Sequence, residues 1–122
     1  MSKFKQKKDQ AWQYYQVWMK EITYCPILKK EVKITRKGWD HLVSGSKSRK
    51  RKISDKIYRF NLLKAAKYTI KNATVKGKEK RNNTEYTFVE STFKSGNNNQ
   101  GIKVILKQDK QRNYYLYSVM KK

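Results

Sequence analysis

Near the N-terminus, Trp12, Tyr15, Met19 and Ile22 fall at i, i+3, i+7 and i+10, with Trp18 beside them and Lys, Gln and Glu between. That spacing predicts an amphipathic helix over residues 5–21. Its aromatic stripe reads as core, with base stacking the other use of the same rings. Tyr24, Cys25 and Pro26 end the helix, because proline has no N–H to donate and restricts the residue before it. From Glu31 to Thr35, Val32 and Ile34 alternate with Lys33 and Thr35, the period of a half-buried strand. Arg36, Lys37 and Gly38 read as a turn into a short helix over 39–43 that carries His41 and stops near Gly45.

Residues 46–52 read SKSRKRK, a basic block of the kind that forms a solvated loop or grips phosphates. A second amphipathic helix is predicted over 54–72: Ile57, Phe60, Leu63, Ala66 and Ile70 form its buried stripe, Lys67 is a polar exception, and Ser54 is an N-cap. The stretch 77–84 is lysine-rich and reads as a loop or ragged edge strand. Residues 85–93, 102–107 and 114–120 are rich in β-formers, and SGNNNQG at 95–101 is a turn signal. Three strands in a meander follow. Within the middle one, Ile102, Val104 and Leu106 face one way and Lys103, Ile105 and Lys107 the other, which predicts one helix-covered sheet face and one basic face. Tyr115 and Tyr117 read as core, with Ser118 on the opposite face. The fold class is α+β, a single domain over residues 1–122.

Charge narrows the function. Lys and Arg number 31 against 9 Asp and Glu, a formal +22 over 122 residues. A compact domain repels itself at that density, so the excess is a footprint for a polyanion, with nucleic acid first. It is spread from Lys3 to Lys122 rather than confined to a tail, and it is too large for an ordinary enzyme of small metabolites. No stretch has the length and apolarity of a membrane span, and MSKFKQKKDQ lacks the apolar core of a signal peptide; the expectation is a cytoplasmic protein with no membrane partner. One cysteine, Cys25, and one histidine cannot make an internal disulfide or a four-ligand zinc site. No metal and no cofactor are expected.

What remains is one imidazole, many cations and the hydroxyls of Tyr115, Tyr117 and Ser118. Such a set suits metal-independent cleavage of RNA, in which the 2′-hydroxyl attacks its own phosphate and the protein supplies a proton acceptor, a donor and cations. Histidine is the natural proton carrier near neutrality. On the residues alone, a lone histidine beside Trp39 and Leu42 is more often a packed or surface histidine.

Three segments carry a resemblance: Ile34-Thr35-Arg36-Lys37-Gly38-Trp39-Asp40-His41-Leu42, then Tyr58-Arg59-Phe60-Asn61-Leu62-Leu63, and a closing Tyr114-Tyr115-Leu116-Tyr117-Ser118-Val119. In this order, over residues 25–120, the chain resembles phage-type nucleases of the barnase, EndoU, colicin and RelE superfamily. Residues 1–24 form an N-terminal helix outside that likeness. The resemblance implies helices packed on an antiparallel sheet of about four strands, and a metal-independent RNase acting as a phage effector or as the toxin of a toxin and antitoxin pair. It places His41 at the histidine position, Arg59 as the helix cation and Ser118 as the hydroxyl of the last strand. Leu42 stands where a β-branched residue is common.

The reading that follows is an endoribonuclease with His41 as general base or acid. Arg59 and Lys107 stabilise the phosphorane, and Ser118 orients the phosphate or assists proton transfer. Arg36, Lys37, Arg49, Lys50, Arg51, Lys52 and Lys103 hold RNA. Expected partners are RNA, the ribosome and an acidic antitoxin or immunity protein. The alternative is a non-catalytic, basic RNA-binding or ribosome-associated module.

Overall fold

A computed structural model describes residues 3–44 and 60–122. Among the described residues, three helices, α1 (Lys3–Met19), α2 (Arg36–Ser44) and α3 (Leu63–Asn72), pack on a six-stranded sheet. Its strands are β1 (Thr23–Cys25), β2 (Lys30–Lys33), β3 (Val75–Arg81), β4 (Thr84–Ser95), β5 (Asn98–Gln108) and β6 (Tyr114–Lys121). The spatial order is β1-β2-β6-β5-β4-β3. All pairings are antiparallel except β2 with β6, where Val32 lies opposite Tyr114 and Lys33 opposite Tyr115. The helices-on-sheet layout expected from the sequence is present, but the sheet is mixed and has six strands rather than about four.

The two extra strands are edges: β1 is too short to show a period, and β3 matches at best the ragged edge strand expected over 77–84. β3 has the sequence VKGKEKR and is mostly exposed; lysines on an edge are what keep it from pairing with another chain. A two-residue turn at Asn82 and Asn83, both with positive φ, joins it to β4, the geometry that asparagine tolerates in a hairpin. β1 is three residues long and pairs with β2 through a turn closed by the Lys29 N–H donating to the Pro26 carbonyl. Cys25 and Pro26 thus end a strand and open a turn. The SGNNNQG turn is also shorter than it reads, because Ser95 pairs with Asn98 and leaves Gly96 and Asn97 as the loop.

The core lies between the helices and one sheet face. It is built from Tyr15 and Trp18 of α1, Trp39 of α2, Leu63, Ala66 and Ile70 of α3, and Val32, Val89, Val104, Leu106, Leu116 and Val119 of the sheet. Ile22 departs from the expected stripe and is 77% exposed, because α1 ends at Met19 and the turn after it takes Ile22 off the helical period. Trp18 fills the inward position instead. Its indole Nε1 donates to Thr23 Oγ1 at 2.9 Å, so burial of the ring leaves no indole N–H unsatisfied. Across the sheet, Thr69 and Ser91 share a buried hydroxyl contact of 2.8 Å, and Lys67 bonds Glu21. Of the helix expected over 54–72, residues 54–59 lie outside the described residues, as do Gly45 and the block 46–52.

Candidate functional site

Arg36, Lys37 and Gly38 are the first turn of α2, not the turn before it. Thr35 makes the difference by acting as an N-cap: its Oγ1 accepts from the Gly38 N–H at 3.4 Å and its carbonyl from the Trp39 N–H at 3.3 Å. The Tyr15 hydroxyl also donates to the Thr35 carbonyl, at 2.6 Å, and burial pushes that phenol far above its ordinary range. Gly38 is required by proximity. A Cβ there would sit 2.7 Å from the Leu116 carbonyl oxygen and 2.7 Å from the Tyr15 hydroxyl, so α2 lies directly against the backbone of β6.

That close approach brings His41 to the last strand. Between Ile105 and Leu106 the register of β5 against β6 shifts: Ile105 faces Ser118, yet Leu106 faces Leu116. Tyr117 is the extra residue of a β-bulge, a device that re-aims a side chain. Its ring stacks on the His41 imidazole at 3.9 Å between centroids and packs on Tyr86 at 4.8 Å. His41 and Tyr117 are both half-buried, and Ser118, the next residue, is 3% exposed. The stacking partner of the imidazole is thus the residue that precedes Ser118 on β6.

The bulge also changes the expected faces. Tyr115 and Tyr117 are half-buried rather than core. Since Tyr115 lies opposite Lys107 and Ser118 opposite Ile105, Tyr115 shares a face with Ser118 instead of opposing it; strict alternation fails where an extra residue is inserted. The same register places Ser118 on the face of Lys103 and Lys107, as expected.

Cations differ in how far they are free to meet an anion. Lys107 is exposed. Lys103 bonds Glu79 at 2.9 Å and lies 4.5 Å above the Phe88 ring; that hydrogen bond is the main reason the Glu79 carboxyl is held below its ordinary value. Arg81 also reaches Glu79, at 3.4 Å, and Lys122 pairs with Glu90 at 2.8 Å. The sheet face that the sequence marks as basic is therefore partly neutralised by its own carboxylates. On α2, Arg36 reaches Asp40 at 3.3 Å and lies 5.0 Å above the Trp12 ring, while Lys37 is exposed and shares the i, i+4 face of His41. Arg59, Arg49, Lys50, Arg51 and Lys52 lie outside the described residues.

A separate set of cations was invisible to the sequence reading. Lys30, Lys78 and Arg112 line one cleft with Leu28, Gln108 and Tyr114. No local pattern points to it, because its parts come from β2, β3 and the turn after β5.

Among the described residues, no three of His, Cys, Asp and Glu converge as metal ligands, and no helix is long and apolar enough to cross a membrane. The large polyvalent protein-associated domain 3, a phage-associated domain family, matches residues 2–117. No curated protein and no solved structure matches the chain.

Proposed function

We propose, for a chain that belongs to the large polyvalent protein-associated domain 3 family, that it binds RNA and cleaves it without a metal ion, with His41 as the proton carrier. The single observation behind this reading is the convergence of α2 and β6, which sets the chain's one imidazole on Tyr117, the residue before Ser118 in sequence. In the proposed reaction the His41 imidazole takes the proton of a 2′-hydroxyl. The 2′-oxygen then attacks phosphorus, and the bond to the 5′-oxygen breaks as that oxygen takes up a proton. Lys107 and Arg59 balance the charge that grows on the phosphorane. The products are a 2′,3′-cyclic phosphate and a 5′-hydroxyl. Tyr117 holds the ring plane of His41, so it is a positioning residue. An effector or toxin role is part of the same proposal, and an acidic antitoxin would be the partner complementary to the chain's charge of +22.

A second reading, a non-catalytic RNA-binding module, draws on the 3% exposure of Ser118, which leaves its hydroxyl little access to a phosphate. One incubation separates them. Single-stranded RNA treated with the protein in excess EDTA is expected to be cut, with cyclic phosphate on the upstream fragment. Intact RNA under conditions where the protein demonstrably binds it gives the second reading; cutting only after magnesium is restored contradicts both.

A further inference from the structure

The curled sheet brings β2, next to one edge, toward β3 at the other, and between them lies a cleft of about 530 Å³. Its size falls within the range of clefts that hold small molecules, about 300–1,000 Å³. Three cations line it: Lys30, Lys78 and Arg112. Among the described residues Lys30 and Arg112 take part in no ion pair, and Lys78 meets Glu85 at 3.6 Å with both side chains more than half exposed. An exposed pair of that kind holds its lysine weakly. Elsewhere on the sheet Lys103 and Lys122 are answered by carboxylates at 2.9 and 2.8 Å, whereas the three cations of the cleft are left largely unanswered.

The turn that presents Arg112 is fixed from several sides. Asp109 accepts from the Gln111 N–H at 2.9 Å, the Asn113 N–H at 2.8 Å and the Tyr115 hydroxyl at 2.8 Å. The Gln108 amide donates to the Arg112 carbonyl at 3.3 Å. Arg112 itself stands at a φ of 65°, a left-handed conformation that a residue with a Cβ keeps only where its surroundings impose it. Tyr114 and Leu28, both half-buried against the core, add apolar surface beside the cations.

We infer that this cleft is a nucleotide subsite: Lys30, Lys78 and Arg112 hold the phosphate, and the base lies on Tyr114 and Leu28. A bare anion would use the cations alone, whereas an aromatic ring beside them suits a base, whose flat face stacks without regard to sequence. The choice of a nucleotide as occupant rests on the reading of the chain as RNA-binding.

Titration of the full chain with AMP, adenosine and inorganic phosphate tests the inference, with a labelled RNA oligonucleotide measured in parallel. AMP is expected to saturate at least about tenfold more tightly than adenosine or phosphate, since charge-assisted bonds and stacking act together. The triple variant Lys30→Gln, Lys78→Gln, Arg112→Gln should weaken AMP by at least about tenfold. Tyr114→Leu should weaken AMP and leave phosphate unchanged, and serves if the triple variant is unfolded. Phosphate binding as tightly as AMP overturns the subsite, and so does AMP affinity that ignores these changes. RNA binding without AMP binding overturns the cleft alone; AMP binding without RNA binding upholds the cleft and overturns the RNA reading.

Discussion

Tyr117 and Tyr114 stand three residues apart on β6, and their surroundings differ in kind. At Tyr117 the neighbours are His41 and Tyr86, an aromatic corner with the chain's one imidazole in it. At Tyr114 they are Lys30, Lys78 and Arg112, a cluster of cations. On the proposed reading, one end of the strand moves a proton and the other holds a charge. Such a separation lets grip and chemistry be altered independently, because a phosphate contact needs only charge and approach, whereas proton transfer needs an aligned imidazole.

The largest separation of the two ends is expected from Gly38→Ala. The added methyl meets the Leu116 carbonyl and the Tyr15 hydroxyl at 2.7 Å, and neither a strand backbone nor a buried phenol yields easily. Overpacking of this kind costs about 1–3 kcal/mol, visible as a lowered melting temperature. Lifting α2 off β6 should also cost up to about a hundredfold in cleavage, as misplacement of a catalytic group does. AMP affinity at the cleft should be unchanged; a parallel loss there would mean that the two ends are one site.

A smaller effect is expected from salt. For about four to six phosphate contacts to a single strand, log K against log salt should slope at roughly −3 to −4. Arg49→Gln, Lys50→Gln and Arg51→Gln together should flatten it by up to about two units while sparing single-turnover cleavage at saturating RNA. Equal loss of saturated cleavage would move the basic block into the chemistry.

The smallest effect concerns acid. The Asn113 N–H is the main reason the Asp109 carboxyl titrates below its ordinary 3.8. A carboxylate depressed in the folded state contributes stability that is present above its unfolded value and is lost as pH falls through the folded one. Melting temperatures taken from neutrality down past 3.8 should therefore show the deficit of Asp109→Asn shrinking with acid. A deficit that stays constant would mean that the carboxylate does not secure the turn that presents Arg112.

Legibility followed the range of the interaction. The helices of Trp12, Tyr15 and Trp18 and of Leu63, Ala66 and Ile70 could be read from period alone, as could the alternation of Ile102, Val104 and Leu106, since each is a local pattern reporting on one buried face. Thr35 as an N-cap was within reach, because a threonine three residues before a glycine amide is a local signal too. β3 was legible only as a loop or ragged edge strand, since an exposed edge has little hydrophobic alternation to betray it, and β1 was not legible, because three residues are too few to show a period. Nor was the bulge at Tyr117, which exists only through the register of β6 against β5. The face assigned to Tyr115 went wrong for that one reason. His41 was found by its uniqueness, whereas Lys30, Lys78 and Arg112 are three among 31 cations and are singled out only by where the chain takes them.

The most direct measurement is the single-turnover rate at saturating RNA, with affinity measured alongside, for His41→Ala and for Lys30→Gln, Lys78→Gln, Arg112→Gln. His41→Ala should keep its affinity and lose about a hundredfold or more in rate, the usual scale for a general acid or base. The cleft variant should lose affinity and keep its saturated rate. A His41→Ala protein that cleaves like the wild type would contradict the assignment of chemistry to this end of β6.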